Sequence, residues 1–489
     1  VGKKAFMLLI AVLLAFGIVF PALADEDKSP DMSSLEEIHD YIKNNSIEKK
    51  DDRVLIRGAI EGMLDALEDP YSAYFSPESL DNFNAAVNAD YVEIGVILEP
   101  AGLYPKVAEV FEKSPAREAG MKPGDLIVKV DGTDVAGEPI AGVVDKIRGP
   151  EGTIVRLSVR REGQKDFEAV LKRVSINLAT TRVELLRDGT GYIKIVSFGT
   201  HTAGEFSQGL KSLQAQGAKD LIIDLRDCPG GLLTVAVKIA GNFVEFGKTV
   251  TSIVDRDGER EIYRSDGNAA GKDMRVAVLT NHDSASASEI LAGALRDYGI
   301  GTIIGATTYG KGSVQAVIPL RSGGALKITT ARYFTPKDEV IDGLGLQPDI
   351  QVLTPDLQLP AAQGYLHPRG RRSLVFDSSG ATATVNGSPV KVANGLFRRG
   401  GKIYLPLRFT AEALGFRVDW REEDGRIKVS GDGKEIVFDP VTGKALVAGR
   451  ETESGPLLIV DGTAYLPAAD LTFLGAALKE DGTGTSIEK

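Results

Sequence analysis

From Ile176 to about Val352 short apolar runs alternate with helical stretches that stop at glycine, and that alternation leaves few folds open. The runs are "GYIKIVSF", "LIIDLRD", "VAVLTN" and "GTIIGATTYG". Among them "EFSQGLKSLQAQG", "TVAVKIAGNFVEFG" and "SEILAGALRDYG" repeat apolar residues at helical spacing. Strands that alternate with helices join in parallel, and a parallel sheet is covered on both faces. The segment therefore reads as an α/β core with a mainly parallel sheet. "SVQAVIPLRSGGALKITTARYFTP" adds a hairpin around Gly323-Gly324.

With 489 residues the chain exceeds one ordinary core, and its flanks read as separate parts. Lys3 and Lys4, an apolar run from Ala5 to Phe20, and Ala22-Leu23-Ala24 before acidic residues follow the order of a secretory signal, with cleavage after Ala24. An uncleaved membrane anchor is the alternative. Residues 25–88 read as a helical region interrupted at Pro70 and Pro77. Residues 89–174 turn to short strands bounded by glycine, 175–355 form the α/β core, and 356–376 read as a linker. Residues 377–489 contain two echoing halves, each with a glycine-rich hairpin, a Tyr-Leu-Pro, a helix and a Leu-Gly ending, as in a small α+β domain. The fold class is thus multi-domain α/β: N-terminal helices, a β-rich domain, the α/β core and a C-terminal α+β domain.

Composition excludes several partners. The formal charge is −11, and no basic block long enough to track phosphates exists, so nucleic acid is not expected. Cys228 is the one cysteine, which rules out an intrachain disulfide framework. His39, His201, His282 and His367 are scattered without metal-ligand spacing, so neither a metal nor another cofactor is expected.

The chemistry gathers in three places. In "VAVLTNHDSASASEILAGAL" a strand passes through a serine-rich turn into a helix, with Ser286 at the helix start and Glu289 three residues on. This is the spacing of a capping box, so Ser286 can be a helix cap or a nucleophile. "LIIDLRDCPGGLL" ends a strand in a Pro-Gly-Gly turn whose amides could face an oxyanion, and "TTYGKGSVQ" sets Lys311 between glycines. Serine, lysine, glutamine and a glycine amide turn are the parts of a serine–lysine peptidase. His282 and Asp283 flank the same turn, but neighbours seldom converge on one hydroxyl, so a histidine triad is disfavoured.

"DPYSAYF", "IRGPEGT", "GYIKIVSF", "DLRDCPGG", "SASASEILAGAL", "TYGKGSVQ", "LKITTARYFTP" and "GLGLQPDI", in that order, resemble the carboxyl-terminal processing (tail-specific) serine proteases over about three quarters of the chain. The segment 89–174 resembles a PDZ domain. The C-terminal part resembles the copper amine oxidase amino-terminal-like (stalk) domain, and with no histidine or cysteine beyond His367 copper is not implied. The resemblance implies Ser286 as nucleophile, Lys311 as general base and Gln315 as its orienting partner. It implies an oxyanion hole from the N–H of Ala287 and one from Gly230 or Gly231. It also implies tail capture at Ile94, Gly95 and Val96, and a regulatory Arg148. Cys228 stands where the family usually has asparagine. A free lysine titrates near ~10.4, so a base working near neutrality needs a dry site that brings it down by about 3, or roughly 4 kcal/mol.

The expected protein is an exported serine endopeptidase that recognises the apolar C-terminal tail of protein substrates and cleaves near it through an acyl-enzyme. It would act outside the plasma membrane, with envelope association and a homodimer through the N-terminal helices as further expectations. A non-catalytic tail-binding adaptor on an inactive protease fold is the alternative, and the joint presence of Ser286, Lys311 and Gln315 argues against it. A small-molecule acyl hydrolase would have no use for the PDZ segment.

Overall fold

The computed structural model describes residues 29–489 except 89, 178, 268, 369–371, 454–456 and 482–483. The signal expected at 1–24 lies outside the described residues. The chain divides into two compact units, 1–74 and 75–489.

The first unit holds helices α1 (Met32–Asn45) and α2 (Asp52–Asp65). Each starts at an aspartate whose side chain accepts an N–H of the first turn: Asp31 from Ser34 and Asp51 from Arg53. Neither helix buries a residue, and Ile38, Tyr41, Val54, Ile56 and Met63 are all more than half exposed.

In the second unit, a helix at Pro77–Asn88 and a short strand at Asp90–Glu93 are followed by five antiparallel strands: β1 (Val96–Glu99), β2 (Lys106–Val110), β3 (Leu126–Val130), β4 (Ile154–Arg160) and β5 (Phe167–Lys172). They lie in sequence order, so β1 forms an edge of the sheet. Helix α3 (Ile140–Ile147) contributes Val143 and Ile147 to their core.

The α/β core follows with β6 (Thr181–Leu185), β7 (Gly191–Ile195), α4 (Thr202–Ala215), β8 (Asp220–Asp224), α5 (Leu233–Ala240), β9 (Thr249–Asp255), β10 (Arg260–Arg264), β11 (Arg275–Thr280), α6 (Ala287–Asp297), β12 (Gly301–Gly305), β13 (Ser313–Pro319), β14 (Ala325–Phe334) and β15 (Ile350–Gln351). One sheet runs β6-β7-β8-β11-β12-β15, and only β6 is antiparallel to its neighbour. A second, antiparallel sheet pairs β13 with β14, β14 with β9, and β9 with β10.

Alternation along the parallel strands splits their side chains between two cores. Leu221, Ile223, Val276, Val278 and Ile303 pack with residues of α4, α5 and α6, while Ile222, Ala277, Leu279 and Ile304 belong to another apolar cluster. That second cluster continues through α7 (Pro355–Leu366) into the C-terminal residues Leu374, Phe376, Leu405 and Leu407.

The stretch read as a linker from 356 therefore begins as a helix. Its prolines and glutamines suggested solvated chain, yet Leu357, Gln358, Pro360, Ala362 and Leu366 are buried. Pro355 sits in the first turn, where its missing N–H costs nothing. The N–H groups of Leu353 and Thr354 donate to the buried Glu412 carboxylate at 3.1 and 2.9 Å, so the C-terminal domain anchors the entry into this helix. Glu412 itself lies on α8 (Leu407–Ala413).

The two halves of the C-terminal domain meet at their Tyr-Leu-Pro strands. Lys402–Pro406 and Thr463–Pro467 pair antiparallel, with Leu405 opposite Leu466. The first strand, Ser373–Asp377, pairs with the last, Gly484–Glu488, which ties the domain's start to its end.

Candidate active site

Two turns at the C-terminal ends of β8 and β11 are stitched together. Asp227 N–H donates to the Asn281 side chain at 3.0 Å, and Asn281 Nδ2 returns a bond to Asp227 at 2.7 Å. Ser284 Oγ donates to the Leu225 carbonyl at 2.9 Å and Ser288 Oγ to the Cys228 carbonyl at 3.0 Å. The Cys228 carbonyl also accepts Ala285 N–H. Ser284 and Ser288 are fully buried and committed to these bonds, whereas Ser286 between them is half-buried.

Ser286 stands at φ 55°, ψ −114°, a left-handed conformation that a serine seldom adopts. Such strain at a strand-to-helix turn lifts a side chain above the sheet, as in nucleophile elbows. Gly230, at φ 95°, runs directly beside it. A methyl group on Gly230 would lie 2.6 Å from the Ala285 carbonyl oxygen, 2.8 Å from Ala287 N and 2.9 Å from Ser286 Cβ. Gly231 packs elsewhere, since a methyl there would strike the Phe198 carbonyl oxygen at 2.5 Å. Of the two candidate glycines, Gly230 is the one against Ser286 and Ala287. His282 and Asp283 are exposed on the turn.

The lysine loop is bound to the serine turn by one residue. Glu289 is fully buried, and its Oε2 accepts Ser286 N–H at 2.8 Å and Lys311 N–H at 3.0 Å. Its Oε1 accepts Gly310 N–H at 2.8 Å and the Thr308 hydroxyl. The Tyr333 hydroxyl, from β14, lies among the Lys311 carbonyl, the Ser286 carbonyl at 3.2 Å and Glu289 Oε2 at 3.3 Å, and can donate to one of them at a time. Burial pushes the Glu289 carboxyl above its usual range, and the bonds from Thr308, Gly310, Ser286 and Lys311 offset part of that rise.

Lys311 is half-buried on this loop. Gln315, on β13, directs its amide nitrogen to Ser313 Oγ at 2.9 Å and Thr329 Oγ1 at 3.1 Å. Asp224 is fully buried at the end of β8 and grips Arg226 through both carboxylate oxygens, while Tyr192 donates to it at 2.7 Å. Arg226 Nη1 reaches on to the Pro355 carbonyl at 3.3 Å and to Gln358 at 3.4 Å. Cys228 is fully buried, and burial raises its thiol's pKa, while hydrogen bonds from the Ser288 hydroxyl and the Gly230 N–H offset part of that rise. Sulfur is a weak acceptor, so it competes little for that N–H.

In the β-rich domain the Ile94 side chain is buried in the core, and its carbonyl accepts Ala116 N–H. Gly95, at φ 87°, turns the chain into edge strand β1 at Val96. Arg148 ends α3. Sequence reasoning passed over the buried Arg173, whose Nε donates to the Ile147 carbonyl at 2.7 Å and whose Nη1 reaches Thr153 and Ile154. It also passed over Thr308 and Tyr333, and saw Glu289 only as a capping partner. A glutamate on the inner face of an otherwise apolar helix was the available signal.

A strained serine beside a glycine turn is tied through its own main chain to a lysine loop, and the relatives that the chain matches make the molecule a serine-type endopeptidase. The chain belongs to peptidase family S41, whose profile matches residues 189–352. A PDZ domain profile matches 106–161, the copper amine oxidase N-terminal domain 384–488, and the N-terminal domain of the activating protease CtpB 21–79. The chain is 34% identical over 345 residues to a "Probable CtpA-like serine protease" of Staphylococcus haemolyticus (strain JCSC1435), covering 70% of this chain and 69% of that one. It is 35% identical over 359 residues to the protein of the same name from Staphylococcus aureus (strain COL), covering 72% of each. Among solved structures, the photosystem II D1 C-terminal processing protease is 29% identical, covers 68% of this chain and 91% of its own, and superposes with a TM-score of 0.42.

Proposed function

We propose that Ser286 is the nucleophile and Lys311 the general base of this endopeptidase. The observation that carries the assignment is the Glu289 carboxylate oxygen shared by the N–H groups of Ser286 and Lys311. Lys311, as the free amine, takes the Ser286 proton while Oγ attacks the scissile carbonyl. The oxyanion is received by the N–H of Ala287 and one from the Gly230-Gly231 turn. Collapse of the tetrahedral intermediate releases the amine with the proton returned by Lys311, and water then hydrolyses the acyl-enzyme by the same route. Gln315 keeps the β13 side of the site in register through Ser313 and Thr329.

The substrate's free C-terminal tail adds as a strand along β1, its carboxylate at the Ile94-Gly95-Val96 turn, and Arg148 conveys that occupancy to the protease core. The test uses an unfolded protein with an apolar tail. Wild type cleaves it, Ser286→Ala and Lys311→Ala do not, and amidating the tail slows cleavage. Cleavage that survives either substitution rejects the assignment.

The enzyme works outside the plasma membrane as a dimer built through α1 and α2. The basic, apolar, Ala-Leu-Ala opening supports export, and the exposed apolar side chains of the two helices support self-association. Among the described residues no helix is long and apolar enough to cross a membrane. Sedimentation and intact mass of the exported protein check both points. A particle of one chain's mass counts against the dimer, and a chain that still carries residues 1–24 counts against cleavage.

A further inference from the structure

The loop that carries Lys311 is zipped to a second loop along its whole length. Thr308 N–H donates to the Leu346 carbonyl at 3.1 Å, Gly343 N–H to the Gly310 carbonyl at 2.8 Å, and Gly312 N–H to Asp342 at 3.1 Å. Leu346 N–H returns to Thr308 Oγ1 at 2.7 Å. A methyl on Gly310 would lie 2.9 Å from Gly345 N and 3.1 Å from Leu344 N, so the two backbones touch there. On the second loop Ile341 and Leu346 are fully buried, yet Leu344 between them is 66% exposed. On the first, Tyr309 is 55% exposed although its N–H is fixed to the Ser284 carbonyl at 3.0 Å.

Two large side chains are therefore held in water on ordered backbone, Tyr309 immediately before Gly310 and Leu344 with its backbone N against it. Neither belongs to an apolar core cluster. Single exposed apolar residues need no explanation, but a preordered pair bordering the reacting groups is what a subsite requires, because docking then orders little new structure.

We infer that Tyr309 and Leu344 form an apolar subsite for the substrate residue on the leaving-amine side of the scissile bond. The inference rests on the peptidase reading above. The side follows from the chemistry: the group that protonates the departing amine must border it, and Lys311 directly follows Gly310, which Tyr309 precedes and against which the Leu344 backbone packs.

Two internally quenched peptides with the same free apolar tail, differing only in Leu or Ser immediately after the scissile bond, test it. Wild type should cleave the Leu peptide with a kcat/KM roughly ten-fold higher. Leu344→Ser and Tyr309→Ser should each lose about ten-fold on the Leu peptide and stay within about three-fold on the Ser peptide, while Tyr309→Phe keeps the preference. Leu344 tips an exposed loop, so its variant remains informative if Tyr309→Ser fails to fold. Equal losses on both peptides, an unchanged ratio, or a preference set by the residue before the bond would overturn the subsite and leave the peptidase standing. Failure of wild type to cleave either peptide would overturn both.

Discussion

Glu289→Gln should lower turnover by on the order of a hundred-fold and cost roughly 2–6 kcal/mol of stability, despite replacing one atom by another of similar size. Each Glu289 oxygen accepts two donors: Ser286 and Lys311 N–H on Oε2, Gly310 N–H and the Thr308 hydroxyl on Oε1. An amide keeps one oxygen and puts an NH2 in place of the other, so in either orientation donors face donors at a fully buried position. The serine turn and the lysine loop then separate, and small displacements of reacting groups carry large kinetic penalties. Turnover should fall far more than KM rises, because tail capture happens in the other domain. Denaturant melts in a Ser286→Ala background give the stability, free of self-digestion. A Glu289→Gln enzyme within three-fold of wild type would show that the clamp does not position the site. A pH signature accompanies it. Burial raises Glu289 above 4.5, so over a window above that value the folded chain holds a proton that the unfolded chain has released. This group's contribution is full below 4.5 and declines as pH rises through its folded value, and the glutamine variant should lack that slope.

The parts of the site that lie close in sequence were readable before the structure. Ser286 at the helix start, the Pro-Gly-Gly turn and the lysine between glycines each sit at the end of an apolar run, where an α/β sheet presents its loops. What could not be read was which main-chain groups meet. Glu289 fits a capping box by spacing, and its bond to Ser286 N–H is the local half of that expectation. Its bonds to Gly310 and Lys311 span 21 and 22 positions and exist only because β12 runs beside β11. The choice between Gly230 and Gly231 was likewise hidden: both have positive φ, and only packing against Ser286 or Phe198 separates them.

The fold was legible where periodicity is strong, and least legible at α7. A segment with three prolines, two glutamines and a histidine between Thr354 and Pro368 carries little amphipathic pattern, so local signals favoured a linker. Tertiary contacts reverse that preference. The sheet face bearing Ile222, Ala277, Leu279 and Ile304 must be covered, and α7 with the C-terminal domain is what covers it.

Removing the C-terminal domain by ending the chain after Pro368 should therefore leave no stably folded protease, a loss comparable to the whole margin of about 5–15 kcal/mol that holds a domain together. Leu374, Phe376, Leu405 and Leu407 share a cluster with the protease sheet, so their loss bares apolar surface on α7 and beneath it. The same cut deletes Glu412, leaving the part-buried N–H groups of Leu353 and Thr354, just before α7, without their acceptor. Soluble yield, near-ultraviolet dichroism and urea melts would register the collapse, and a mere spacer domain would leave all three unchanged. Glu412→Ala offers a gentler version, with an expected loss of about 1–3 kcal/mol. Its effect need not stop at stability: α7 supplies the Pro355 carbonyl and Gln358 to Arg226, and Arg226 is clasped by Asp224 directly before the turn that ends at Gly230. If that brace aligns the Gly230 turn proposed to receive the oxyanion, Glu412→Ala should lower kcat with little change in KM even at temperatures where the variant is fully folded. A full kcat in the folded variant would confine the C-terminal domain to holding the sheet together.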